Sequence, residues 1–275
     1  VYKRQDIAVD YNTGTSGDSA VRIMLHSDSL ENHRDHYDGT RLGFNPTIKI
    51  KMNESTTLDL SYEYADHERY IDRGIPTENG EPVERFEKIT FGGDDNLTTL
   101  KANILRATLS KVFSDTRKGN LSIVSSDFEK MYKNYYASGY TAGATVVTMD
   151  GYLDPTEREN TIISGNIVNE VGNHTLLVGV ELIDTTNENF RYNTFWSTTS
   201  DDNEVFNITR PMDFSVNSAG VATSNDYTAD LKSKTKSDID VTSFFIQDQI
   251  DVSDKLKLMI GGRHDSFDIT VTDVK

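Results

Sequence analysis

What most constrains this chain is a period of two. Apolar and polar residues alternate along run after run, while the 3.6-residue period of an amphipathic helix is nearly absent. Leu42, Phe44, Ile48, Ile50 and Met52 fall on one face of an extended segment, with Arg41, Asn45, Thr47, Lys49 and Lys51 on the other. Leu58, Leu60, Tyr62 and Tyr64 repeat the design against Asp59, Ser61 and Glu63. Leu176, Val178, Val180 and Leu182 do the same, as do Leu256, Leu258 and Ile260. Side chains of a strand point alternately to opposite faces, so each run is a ribbon that is apolar on one side only. Ten strands are expected, over 3–12, 18–30, 39–52, 56–68, 97–113, 119–132, 158–170, 173–187, 238–251 and 255–271. The alternation is blurred over 97–113, 119–132 and 238–251, where bulges or dense loop contacts are expected.

The connections carry a second regularity. Tight links at Thr13–Gly17, Asn53–Ser55, Ser114–Lys118, Val171–Gly172 and Val252–Asp254 alternate with long segments at 31–38, 69–96, 133–157 and 188–237. An antiparallel meander with one plain end and one elaborate end produces that pattern. Two architectures accommodate it. A soluble β-sandwich uses mostly shorter strands, with turns at both ends. A membrane β-barrel needs strands of about 9–11 residues to cross the bilayer at a tilt, with short turns on one side and long loops on the other. The strand lengths favour the barrel.

Composition fits a barrel with a wet interior. AVILMFWYC residues make up 36% of the chain, and 44 acidic against 28 basic side chains give a net charge of −16. A barrel turns its apolar band to lipid and fills its interior with polar groups, which lowers the apolar fraction. The acidic balance argues against nucleic acid as a partner. The lack of cysteine excludes disulfide frameworks, thiolate zinc sites and thiol catalysis. No run approaches the roughly 18 apolar residues of a membrane-spanning helix. With no initiating methionine and no signal peptide, the chain reads as an internal fragment whose first residues are open to a foreign origin.

At Asp66–Pro76, DHERYIDRGIP, the sequence resembles the TonB-dependent siderophore receptors of Gram-negative outer membranes. The resemblance runs back through SAVRIMLHSDSLENHRDHYDGTRLGFNPTIKIKMNESTTLDLSYEY and on through IPTENGEPV. HTLLVGVEL at His174–Leu182 and FFIQDQIDVSDKLKLMIGGRHDSFD at Phe244–Asp268 follow in the family's order. It implies an all-β fold, an antiparallel up-and-down transmembrane β-barrel of about 22 strands closed by a plug. The chain looks like about ten of those strands, from the second to the eleventh. Residues 1–275 are then part of the barrel domain, with the plug, the energy-coupling box and the C-terminal strands outside it. The implied activity is import of ferric siderophores through the bacterial outer membrane, energised by a TonB-type complex, without covalent chemistry. The expected partners are the ferric siderophore, that complex and outer-membrane lipid. No cofactor or resident metal is expected, iron being carried within the ligand. A passive porin-like channel and a surface-adhesion barrel are the rival membrane readings.

Candidate binding residues follow from the chemistry of such a ligand. An anionic chelate with amide and aromatic surfaces suits arginine hydrogen bonds and aromatic packing. Arg69, Tyr70, Arg73, Arg191, Tyr192, Trp196 and Arg210 lie on the elaborate side and form the expected vestibule. Arg73 has a competing part in folding its own RGIP turn. Tyr62 and Tyr64 are expected in the lipid-facing aromatic girdle. Tyr132, Tyr135, Tyr136, Phe190, Tyr192, Phe195 and Trp196 fit either a girdle or a vestibule. His33-Arg34-Asp35-His36 and Asp201-Asp202-Asn203-Glu204 lack the spacing of a metal site and read as polar loops. Phe91–Gly93 and Gly261–Gly262 lack the spacing of a phosphate loop, and five Asn-x-Ser/Thr triplets are discounted in a bacterial chain. No catalytic constellation is present, and the chain is not expected to be an enzyme.

Overall fold

The alternating runs pair in chain order into one antiparallel sheet. The computed structural model describes residues 3–14 and 17–273. Its strands are β1 (Lys3–Asn12), β2 (Ser19–Glu31), β3 (Asp38–Asn53), β4 (Thr56–Tyr70), β5 (Thr77–Glu78), β6 (Glu81–Pro82), β7 (Leu97–Ser114), β8 (Arg117–Gly139), β9 (Val146–Val171), β10 (His174–Asn193), β11 (Glu204–Asn207), β12 (Asp230–Ser253) and β13 (Leu256–Asp273). A single 3₁₀ turn covers Glu84–Phe86. The sheet order is β1-β2-β3-β4-β7-β8-β9-β10-β12-β13, with β11 added to β9 and β5–β6 a separate hairpin. No second large sheet faces the first among the described residues, so the sandwich is excluded. The sheet is open, with β1 and β13 at its edges.

Register turns the alternation into two continuous surfaces. Ile48, Leu60, Ala107, Ile123, Ile163 and Leu182 are successive cross-strand partners. The next row runs Ile50, Leu58, Leu109, Leu121, Gly165, Val180 and Phe244. This face is uncovered: Leu121 is 49% exposed, Leu182 47% and Phe244 56%. An apolar belt of that extent is untenable in water and is what a bilayer requires. Tyr62 and Tyr64 continue the same face upward, as expected of a girdle. The opposite, inner face is polar. Lys49 pairs with Asp59 at 3.0 Å, Thr108 with Ser122 at 3.0 Å, and Arg263 donates to Glu181 and Ser243, each at 2.8 Å.

All ten expected strands form, and the plain end is as tight as expected. Val171 and His174 pair across a two-residue turn whose first central residue, Gly172, has φ +61°, a conformation glycine adopts without a Cβ clash. The Thr13–Gly17 link lies partly outside the described residues. The elaborate end differs from expectation. The 133–157 segment is mostly strand, leaving a loop of 140–145, and the 188–237 loop shrinks to 194–229. The reason is that alternation reports contrast between faces. Above the lipid the outer face packs against the chain's own loops and the inner face carries aromatic residues, so the contrast fades while the hydrogen-bonded ladder continues. At about 3.4 Å per residue, the 26-residue β9 reaches far beyond an apolar band about 25 Å tall.

The expected bulges are also placed differently. Register shifts sit at strand ends, at Lys51/Asn53, Val112/Ser114, Ala137/Gly139, Arg191/Tyr192 and Asp251/Ser253. None interrupts 119–132 or 238–251. The blur there comes from apolar residues on the inner face, including Ile104, Val124, Val241 and Phe245. Gly179 makes room for one of them, since a Cβ there would stand 2.2 Å from the Phe245 ring.

Candidate binding vestibule

The extended ends of β8 and β9 carry two different surfaces at one height. Their outer face, continuous with the lipid-facing side, is covered by the two longest loops. Tyr135, Val147 and Met149 of the hairpin pack with Val83, Phe86 and Phe91 of the first loop and with Trp196, Phe206, Met212 and Tyr227 of the second. Tyr135 stacks on Tyr227 with ring centroids 5.1 Å apart and lies 5.2 Å from Trp196, and Trp196 lies 4.9 Å from Phe206. Burial pushes the Tyr227 hydroxyl far above the ordinary tyrosine range.

Polar side chains fix the loops to this core. Asn96, 1% exposed, accepts from the Tyr135 backbone N–H at 2.9 Å and donates to its carbonyl at 3.0 Å, replacing the strand partner that β7 no longer supplies. Arg34 pairs with Asp72 and donates to the Ile89 carbonyl at 2.9 Å. Arg210 pairs with Asp35 at 3.0 Å, and Thr90 donates to the Asp35 carbonyl at 2.6 Å. Thus Arg34 and Asp35 of the HRDH segment are latches between loops. Glu204 is buried and accepts from Thr198 and Asn217 of its own loop, while Asp202 accepts from Asn193 and Asn203 from Ser138. Among the described residues, one trio of metal-capable side chains converges, Asp6, His26 and Asp28. It is already occupied by cations, with Arg41 on Asp28 and Arg4 at 2.8 Å from Asp6.

The inner face of the same hairpin is left open by the loops. Tyr132, Tyr136 and Tyr152 alternate onto it, with Asp150 and Asp154. Tyr132 and Tyr152 stack at 5.7 Å, and Tyr136 meets Tyr152 edge-on at 6.3 Å. Arg191 lies 3.5 Å over the Tyr152 ring and is held by Asp154 at 2.7 Å. Arg73 lies 4.1 Å over the Tyr136 ring and donates to the Asn134 side chain and the Tyr152 hydroxyl, each at 3.3 Å. The Tyr136 hydroxyl donates to Asp150 at 2.9 Å. The result is a platform of three rings flanked by two guanidinium groups, with ring faces suited to planar, electron-rich groups and cations suited to anionic oxygens.

The sequence-derived vestibule residues separate into groups. Arg73 and Arg191 meet on the platform. Arg69 shares their face, in a cross-strand row with Thr98, Tyr132 and Asp154. Tyr192 alternates to the opposite face and stacks on Phe190 at 6.2 Å. Tyr70 and Trp196 are each 1% exposed: Tyr70 donates to the Gly93 carbonyl at 2.8 Å, and Trp196 sits in the loop core. Arg210 serves the Asp35 latch. Tyr152, Asp150 and Asp154 were missed because 133–157 reads as loop. Their alternation with Gly151 and Leu153 was the available signal.

The geometry meets its counterpart in a known family at this point. Residues 43–275 match the family described as TonB dependent receptor-like, beta-barrel. The chain belongs to that family. Its members are outer-membrane transport receptors rather than enzymes. No curated protein sequence matches the chain. Among solved structures it is similar in fold to the P. aeruginosa ferripyoverdine receptor bound to ferripyoverdine, at TM-score 0.78 and 15% identity over 98% of this chain and 36% of that one. The ferric-catecholate import receptor Fiu of E. coli, in its open form, gives 0.75 and 16% over 98% of this chain and 43% of that one. A complex of FpvAI with pyocin S2 gives 0.80 and 15% over 99% of this chain and 36% of that one. The chain therefore spans less than half the length of each of these receptors.

Proposed function

We propose that this chain is the ligand-facing part of an outer-membrane receptor that binds a ferric siderophore on its outer side and imports it with energy delivered through TonB. The observation that carries the reading is the ring-and-guanidinium platform of Tyr132, Tyr136, Tyr152, Arg73 and Arg191, open to the barrel interior above the apolar belt. Family membership supports the TonB partnership, and the ferripyoverdine and ferric-catecholate receptors among its structural neighbours support the ligand class. Arg69 extends the platform along the wall. Tyr70, Trp196 and Arg210 act at one remove by holding the loops that back it, and Tyr192 stands on the outer face stacked on Phe190. Iron is cargo inside the ligand, so the receptor needs no cofactor of its own.

The test is growth of an iron-starved strain that carries only the full-length receptor, on a panel of purified ferric siderophores. One or a few should support growth, and Tyr152→Ala should slow growth on those alone at unchanged receptor abundance. Growth that persists after the protonmotive force is uncoupled from TonB would favour a passive channel and remove the active-transport reading.

A further inference from the structure

Beside the ring platform, one step nearer the membrane, lies a cavity of about 500 Å³ on the inner face of β3, β4, β7 and β8. Arg41, His67, Arg69, Thr98 and Lys130 line it, together with Asp28. Asp28 is already paired with Arg41. Cross-strand register makes the arrangement a consequence of the fold. Arg41, His67, Leu100 and Lys130 form one row, and Gly39, Arg69, Thr98 and Tyr132 form the next. Glu68, between His67 and Arg69, also contributes to the lining, while its strand position alternates to the outer face.

This cavity gathers two cations that have no ion-pair partner among the described residues. On the same wall Lys49 is matched by Asp59, Arg106 by Glu63, Arg191 by Asp154 and Arg263 by Glu181, while Arg158 is held by Asn187 and Arg73 by Asn134 and Tyr152. Arg69 and Lys130 have no ion pair or side-chain hydrogen bond among the described residues. Two cations without a paired carboxylate, facing one cavity in a chain with net charge −16, suit an anionic group supplied from outside.

We infer that this cavity is a separate anion subsite, and that the ligand is bipartite: an aromatic chelate on the tyrosine platform carrying a pendant carboxylate arm that Arg69 and Lys130 bind. This rests on the ligand class proposed above and narrows it. Arg69 directs two hydrogen bonds to a carboxylate and Lys130 supplies a point charge, while Thr98 offers a hydroxyl between them.

A matched pair of probes tests it on the full-length receptor in detergent: the ferric complex of 2,3-dihydroxybenzoylglycine, which keeps a carboxylate, and that of its N-methylamide, which does not. Wild type should prefer the acid about tenfold, or about 1.4 kcal/mol. Arg69→Gln with Lys130→Gln should abolish that preference by weakening the acid alone, with heat-modifiable gel mobility unchanged. Equal weakening of both probes, or of neither, overturns the subsite. Tyr152→Ala separates the two claims. It should weaken both probes alike while the preference for the acid persists. An unchanged affinity there counts against the platform, and a persisting acid preference then still supports the subsite.

Discussion

The lower and upper halves of the same strands are stabilised by different surroundings. In the lower half, β4 presents Leu58 and Leu60 outward and Asp59 and Ser61 inward, and the outward face has no protein against it. Its partner is lipid. In the upper half, β8 and β9 continue the same ladder, but the outward face is now covered by protein. Tyr135, Val147 and Met149 are buried there against Trp196, Phe206 and Tyr227. The two halves show that a barrel strand needs its outward face covered all along its length, by acyl chains below and by its own loops above. Covering the outside also frees the inside. The loops back the wall, and the platform of Tyr132, Tyr136 and Tyr152 remains open to ligand.

The sharpest way to break the upper half is Trp196→Ala. Removing a fully buried tryptophan costs about 3–5 kcal/mol, so the 194–229 loop should become protease-sensitive in intact cells while the barrel keeps its heat-modifiable mobility. Because the indole N–H has no hydrogen-bond partner among the described residues, Trp196→Phe should restore most of the loop's protection. Equal protection of Trp196→Ala and wild type would show that the loop core does not hold the loops.

In the lower half the corresponding change is Leu60→Arg. An arginine near the bilayer midplane costs about 2–4 kcal/mol, so assembled receptor should fall, whereas Ser61→Arg on the inner face should assemble normally. The reverse outcome would exchange the two faces. A labelling experiment sharpens the boundary between the halves. Lys88→Cys and Ala219→Cys, both at exposed loop positions, should react with an impermeant maleimide in intact cells. Reaction only after outer-membrane rupture would invert the topology.

Smaller effects belong to the latches. Arg210→Ala removes an exposed pair with Asp35, and such pairs contribute about 0–1 kcal/mol. Hydrogen exchange in 32–37 and 208–212 should quicken with no change in assembly. At neutral pH the smallest effect is that of Tyr227. Its folded-state pKa is raised, so its contribution is fully present below the unfolded tyrosine value of about 10 and is lost as pH rises above it. Loop protection should therefore be flat from pH 6 to 9 and decline at higher pH, and Tyr227→Phe should move that decline upward. A decline already complete by pH 8 would exclude this tyrosine as its cause.

The sequence by itself determined where most strands run and which of their faces meets lipid. The repeated contrast of Leu58, Leu60 and Tyr62 against Asp59, Ser61 and Glu63 needs only the two-residue period of a strand, and short links such as Val171–Gly172 need only local turn geometry. It also placed Arg69, Arg73 and Arg191 on the elaborate side. What only the tertiary structure decided lies where that contrast vanishes. Over 133–157 both faces carry aromatic residues, so the alternation is faint, and Tyr152 stayed hidden until register with Asn134 set it beside Arg73 and Arg191. The same holds for Trp196, whose burial depends on Phe206, Tyr135 and Tyr227 arriving from three separate segments. Local alternation is written along the chain because each strand meets the same two media. A loop core and a ligand wall depend on long-range encounters between segments, and one strand's sequence carries no record of its partners.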